Sequence, residues 1–205
     1  MIGIIDYGMG NLHSVQNACT HLGLESLISA DPEVLRGCER LILPGVGAFG
    51  DLMKNLKETG LDEFILEEAG TNKKPMLGIC LGMQALFESS EENGHQKGLG
   101  FLKGEVIPMN SYDIRIPEIG WNDLMIRGSH PLKEALSEKP FAYYDHSFYA
   151  SGFDPDDLIA YSLYGPYLIP GLVGKDNIVG AQFHPEKSGK DGLRILEWFA
   201  KEFEV

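Results

Sequence analysis

The stretch Pro75-Met76-Leu77-Gly78-Ile79-Cys80-Leu81-Gly82-Met83-Gln84 decides the fold. Residues 75–79 form an apolar run of strand length that leads straight into Cys80, and a helix is predicted to begin at once near Leu81. A strand that becomes a helix across one residue, with glycine two places to either side, is the setting of a nucleophile elbow. The glycines permit the tight turn and let neighbouring backbone close in. Such a cysteine lies at a helix N-terminus, where unpaired N–H groups and the helix dipole favour an anion over a neutral thiol. The plainer alternative is a buried cysteine in an apolar strand between two incidental glycines.

Working outward, the first half alternates short apolar runs with amphipathic stretches. Residues 2–6 read as a buried strand, and residues 8–11 turn the chain into a helix with Leu12, Val15, Cys19 and Leu22 at helical spacing, stopped by Gly23. A strand over 24–29 follows, then a short helix opened by Asp31-Pro32 in cap-then-proline order. The strand over 40–43 ends at Pro44-Gly45-Val46-Gly47, and helical periodicity covers 49–58 and 61–69. This alternation predicts a parallel sheet with crossover helices. Residues 94–104 are glycine-rich and loop-like. Beyond them the stretches 105–109, 121–126, 141–149, 158–164, 167–173 and 178–183 read as strands, and a helix over 189–203 closes the chain, apolar at Leu193, Leu196, Phe199 and Ala200. The fold class expected is α/β: a three-layer open mixed sheet, mostly parallel in its first half, flanked by helices, with one domain over residues 1–205.

Composition narrows the function. A chain of 205 residues, 43% hydrophobic, buries roughly 70% of its unfolded surface and needs neither metal nor disulfides for stability. Cys19, Cys38 and Cys80 are odd in number and lack C-x-x-C spacing, which argues against a disulfide framework or a zinc ribbon. A formal charge of −13 disfavours nucleic acid and anionic membranes, because neutralising phosphates takes clustered Lys and Arg. No basic leader precedes the first strand and no run reaches the length of a membrane span, so a cytoplasmic location is expected. His13, His21, His95 and His130 lack partners at ligand spacing, and no metal is expected. Gly8-Met9-Gly10 lacks the third glycine of a dinucleotide loop, so no nucleotide cofactor is expected either.

A reactive thiol needs a base to carry its proton and a third group to hold that base in one tautomer. His184-Pro185-Glu186 can supply both. It follows the strand over 178–183, so His184 would project from that strand's C-terminal end, the edge where open α/β sheets place their sites. Glu186 can reach the far ring nitrogen if Pro185 fixes an extended or turned backbone. Acyl chemistry also needs donors for an oxyanion: the N–H of Leu81 at the elbow is one, and the glycine-flanked loop Gly45-Val46-Gly47 at the end of a separate strand offers another.

GICLGMQ at 78–84 and QFHPEKSG at 182–189 resemble the nucleophile and His-Glu motifs of the class I, or triad, glutamine amidotransferases. IIDYGMGNLHSVQNA at 4–18, LPGVGAF at 43–49, PEIGWN at 117–122, HSFY at 146–149 and YG at 164–165 resemble one branch of that family, the glutaminases of histidine biosynthesis, and from the small size a domain without a fused synthetase is expected. The resemblance implies that Cys80 attacks the carboxamide of glutamine, with His184 as base and Glu186 as its orienting acid. It places Gly47 and Leu81 on the oxyanion side, and Gly45, Val46, Gln84 and the backbone of His146, Ser147 and Phe148 around the substrate. It also implies a (β/α)₈-barrel cyclase partner that receives the ammonia, with Asn11, Tyr143 and Lys187 as candidate contacts.

His146 is expected in the glutamine pocket rather than hydrogen-bonded within the core. Two places depart from the family pattern: Asp145 stands where an apolar residue is usual, and Pro170-Gly171 should break strand pairing locally. Three alternatives keep the fold: a paralogous glutaminase serving surface-polysaccharide sugars, a stand-alone cysteine hydrolase, and an idle scaffold subunit that would have lost its nucleophile or base.

Overall fold

The computed structural model describes residues 1–110, 113–128 and 130–203. In chain order its elements are β1 (Ile2–Ile5), α1 (Leu12–His21), β2 (Ser26–Ser29), α2 (Pro32–Arg36), β3 (Arg40–Gly45), α3 (Phe49–Thr59), α4 (Leu61–Ile65), β4 (Met76–Cys80) and α5 (Leu81–Gln84). Then come β5 (Phe87–Ser90), β6 (Gln96–Lys97), β7 (Leu102–Pro108), β8 (Glu118–Asp123), β9 (Met125–Ile126), β10 (Phe141–His146), β11 (Phe148–Ser151), β12 (Leu158–Tyr164), β13 (Tyr167–Lys175), β14 (Ile178–Ala181) and α6 (Gly189–Lys201).

The central sheet has the order β2-β1-β3-β4-β14-β13-β12-β9. Its β2-β1-β3-β4-β14 half is parallel and the rest antiparallel. Period-two alternation assigns side chains to two cores. Ile2, Ile4, Ile42, Leu77, Ile79, Val179 and Ala181 face α1 and α6, where Val15, Ile195, Leu196 and Phe199 meet them. Ile5, Leu41, Leu43, Met76 and Ile178 face the other way, onto Leu52 and Leu56 of α3, Leu61 and Phe64 of α4, and the small sheet β11-β7-β5-β6. The expected layers are therefore present. Asp31 caps α2, its side chain accepting from the Glu33 N–H at 2.9 Å.

The structure departs from the sequence reading in five places, one being the strand read over 121–126, which divides at Leu124 into β8 and β9 of different sheets. The helix expected over 61–69 keeps α-geometry only to Ile65 and widens into a π-turn over Leu66–Thr71. There Glu68 turns inward to meet Arg36 at 2.5 Å, Lys74 at 2.6 Å and Asn72 at 3.0 Å. The glycine-rich 94–104 segment is not all loop, since β6 pairs with β5 and β7 starts at Leu102. The strand read over 141–149 divides at Ser147: β10 pairs with β8, whereas β11 pairs with β7 in another sheet. The helix after Cys80 is a single turn, so its dipole is small. At Pro170-Gly171 the β12–β13 ladder does shift register, from Ala160↔Leu172 to Tyr161↔Pro170.

Close approach at the elbow depends on Gly82, whose absent Cβ would run into the carbonyl oxygen of Leu43 on β3. Gly82→Ala is expected to cost about 3 kcal/mol, the upper end for overpacking against backbone. Its urea midpoint should fall accordingly, and a wild-type midpoint would contradict this packing.

Candidate active site

Three strands bring the site together. Gly45 at the end of β3 pairs with Cys80 at the end of β4. On the other side β14 pairs with β4 through Ala181↔Ile79, so one further step along both chains sets Gln182 level with Cys80. Cys80 has φ +53° and ψ −110°, a conformation that side-chain-bearing residues rarely adopt. Holding it costs roughly 1–3 kcal/mol, which the packed surroundings must supply, and such strain clusters at functional sites.

His184 follows β14 in extended conformation and is pinned from two directions. Its N–H donates to the Tyr143 carbonyl at 3.0 Å, and its own carbonyl accepts from the Ser188 hydroxyl at 2.7 Å. The 3₁₀ turn Pro185–Lys187 then folds Glu186 back, so that its Oε1 lies 2.9 Å from His184 Nδ1. Both side chains are almost wholly enclosed, 3% and 1% exposed, and this contact is correspondingly unscreened. With Nδ1 engaged by Glu186, Nε2 is left for the thiol of Cys80, which lies close enough to act on the charge of the ring.

Burial by itself would disfavour the imidazolium. Hydrogen bonds to Cys80 and Glu186, together with their negative charge, override it and push His184 up to about 10. A raised value means that this constellation stabilises the fold fully below the ordinary imidazole range, and that the contribution is lost as pH rises through about 10. In Cys80→Ala the stronger of the two partners is gone, so the His184 titration followed by NMR is expected to move well down from that value. An unmoved titration would show that sulfur does not act on the ring. Cys19 and Cys38 differ in kind: burial pushes both thiols up, which makes them poor nucleophiles.

Cys80 and His184 border one cavity of about 280 Å³, which Val46, Gly47, Leu81, Gln84, Ser147 and Phe148 also line. Residues 3–203 match the model of the family described as glutamine amidotransferase class-I. The chain belongs to the class-I glutamine amidotransferases. It is 48% identical to a protein of Sulfurimonas denitrificans named imidazole glycerol phosphate synthase subunit HisH, over 98% of each chain. It is 50% identical to the protein of that name from Lactococcus lactis, again over 98% of each. Among solved structures, one titled as a glutamine amidotransferase matches with a TM-score of 0.77 at 22% identity, covering 97% of this chain and 96% of that one. PurLQS from Thermotoga maritima matches at 0.72, also at 22% identity, covering 97% and 95%.

In this amidotransferase Gly47 sits at the cavity with φ +100°, a turn that suits glycine. Gly45 is buried behind it, with no room for a Cβ against Gly82 N and Leu81, so it serves the packing of the loop on the elbow. Gln84 is buried and donates from Nε2 to the Phe148 carbonyl at 3.0 Å and to Gln182 Oε1 at 3.1 Å. His146 borders the cavity, yet both ring nitrogens are engaged: Nδ1 with the Phe148 carbonyl at 2.8 Å and Nε2 with Glu118 Oε2 at 3.0 Å. The core hydrogen-bonding that sequence reading set second is what its ring does. Asp145 is exposed, and its backbone carbonyl accepts from the Cys80 thiol at 3.8 Å.

Tyr143 and Lys187 come together, the ammonium 5.7 Å from the ring centroid, with Lys187 on the cavity rim. Asn11 stands at the start of α1, a helix that packs on the Pro185–Lys187 turn. Sequence reading missed four residues here. Gln182 and Glu118 lay inside quoted motifs without a role, Glu92 on the cavity wall accepts from the Phe49 N–H at 2.8 Å, and Trp121, 57% exposed, packs edge-on against Tyr143. Each of these pairings joins residues from separate elements of the chain, which hid them from a local reading. Among the described residues no His, Cys, Asp and Glu group could hold a metal ion, and no helix is long and apolar enough to cross a membrane.

Proposed function

We propose that this chain is the glutaminase subunit of an imidazole glycerol phosphate synthase, hydrolysing L-glutamine at Cys80 and passing the ammonia to a partner subunit. The observation that carries it is the meeting of Cys80, His184 and Glu186, distant in sequence, at the C-terminal edge of one sheet and beside a cavity. Near-full-length identity of 48–50% to synthase subunits supports the pathway.

The sulfur of Cys80 attacks the carboxamide carbon, and the proton it gave up to His184 passes to the departing nitrogen. Ammonia leaves and a γ-glutamyl thioester remains. His184 then takes a proton from water, hydroxide attacks the thioester carbonyl, and glutamate departs as the proton returns to sulfur. Glu186 keeps the proton on Nδ1, so that Nε2 is the nitrogen that takes up and returns the proton at each step, and it offsets the charge of the imidazolium whenever that forms. The N–H groups of Leu81 and Gly47 serve the oxyanion of both tetrahedral intermediates. Substrate contacts come from Val46, Gln84 and the 146–148 backbone, in a cavity bordered by Glu92 and Asp145 and by Lys187, the two signs that a zwitterionic amino acid requires.

Ammonia released into water is protonated and lost as a nucleophile, so the cavity mouth must be covered. The partner in this reading is a (β/α)₈-barrel cyclase seated over Tyr143, Lys187 and Asn11, with the exposed Trp121 and Ile119 extending the same face. Glutamine turnover by the purified chain is expected to be weak and to rise at least about tenfold, roughly 1.4 kcal/mol of barrier, with a co-expressed cyclase and its nucleotide. Full turnover that ignores the cyclase would overturn the assignment in favour of a stand-alone hydrolase.

A further inference from the structure

Two buried glutamines connect the wall of the cavity to the nucleophile. Gln182 is wholly enclosed and Gln84 nearly so, and an apolar pair of that size would fill the space without demanding hydrogen bonds. The direction of both amides follows from one fixed group. The carbonyl of Phe148 can only accept, so the nitrogen of Gln84 must face it, at 3.0 Å. The second hydrogen of that nitrogen meets Gln182 at 3.1 Å, which makes the facing atom Oε1. Gln182 is thereby left with its Nε2 toward the sulfur of Cys80, at 3.9 Å. Its backbone is fixed as well, the N–H donating to the Gly171 carbonyl at 2.9 Å.

The sulfur therefore has two kinds of neighbour. As a thiol it donates to the Asp145 carbonyl at 3.8 Å; as an anion it accepts from His184 and from the Gln182 amide. We propose that Gln182, oriented by Gln84 from the Phe148 carbonyl, is a positioning residue that holds the Cys80 sulfur as an acceptor and aims it into the cavity. The same Phe148 carbonyl also receives the His146 ring, whose far nitrogen meets Glu118. The cavity wall and the nucleophile consequently share one hydrogen-bonded chain, and a shift of the 146–148 backbone reaches the sulfur through two side chains. This deepens the reading of Cys80 as nucleophile and rests on it.

The test reads the thiol itself rather than glutamine turnover. Iodoacetamide alkylation of Cys80, located by peptide mass, is followed against pH in the full chain and in Gln182→Met, which keeps volume and removes the amide. The expected result is a roughly tenfold slower reaction at neutral pH, the scale of one hydrogen bond to a charged group, with the profile moved to higher pH. Gln84→Met, which leaves Gln182 in place but frees its orientation, is expected to move it the same way by less, and it carries the test if the first variant does not fold. A folded variant with the wild-type profile overturns the relay, even if turnover or thermal stability falls, because a packing role changes those and leaves the profile alone. A wild-type Cys80 no more reactive than Cys19 and Cys38 instead contradicts the nucleophile assignment, and the relay with it.

Discussion

Cys80→Ala is expected to abolish glutamine-dependent product formation in the assembled synthase while leaving synthesis from ammonium salts at its wild-type rate. Loss of a nucleophile that acts as part of a unit costs on the order of 10⁵–10⁶-fold, because His184 and Glu186 have nothing left to activate. The later ring-forming chemistry belongs to the partner and needs ammonia alone, so supplying it from solution bypasses the missing sulfur. The substitution is also mild for the fold. It removes one sulfur at a cavity wall, and alanine retains the Cβ already accommodated at φ +53°. If both activities vanished together, division of labour between two subunits would be the wrong description.

Glu186→Gln is expected to lower glutamine turnover by about 10³-fold, less than loss of the sulfur and more than a surface change. The carboxylate oxygen at 2.9 Å from Nδ1 fixes which nitrogen carries the proton. An amide in the same space can turn its NH₂ toward the ring and favour the opposite tautomer, leaving Nε2 protonated and unable to accept from the thiol. It also withdraws the negative charge that helps raise His184 to about 10, so the imidazolium is held less firmly and the His184 titration should move down. Steady-state turnover and the same NMR titration measure both effects. A variant with unchanged turnover would reduce Glu186 to a structural partner of the 3₁₀ turn.

Local signals carried much of this into the sequence. The apolar run ending in Gly78-Ile79-Cys80-Leu81-Gly82 reads as an elbow because the backbone demand is local, and φ +53° at Cys80 is the conformation that those glycines make room for. His184-Pro185-Glu186 was legible for the same reason, since two residues and a proline suffice to define the turn. The alternating Ile42 and Leu41, Leu43 pattern likewise reports two buried faces. What stayed hidden depends on pairing across the fold. No local feature of the 141–149 stretch says that it changes sheets at Ser147, because the partners that divide it, β8 and β7, lie elsewhere in the chain. The ring of His146 has Glu118 as partner 28 residues away, and the amide of Gln84 meets Gln182 across 98 residues. The one-turn length of α5 is also a tertiary effect: the chain leaves it to place Phe87 and Ser89 against β7.

The central claim is that glutamine is opened by covalent attack from one particular sulfur. A chloroketone analogue of glutamine, added with the partner present and followed by peptide mass analysis, reads that directly. A single adduct is expected on the peptide carrying Cys80, formed more slowly when glutamine competes and absent from Cys80→Ala. Modification at Cys19 or Cys38 instead, or continued glutamate release after Cys80 is fully blocked, would contradict it.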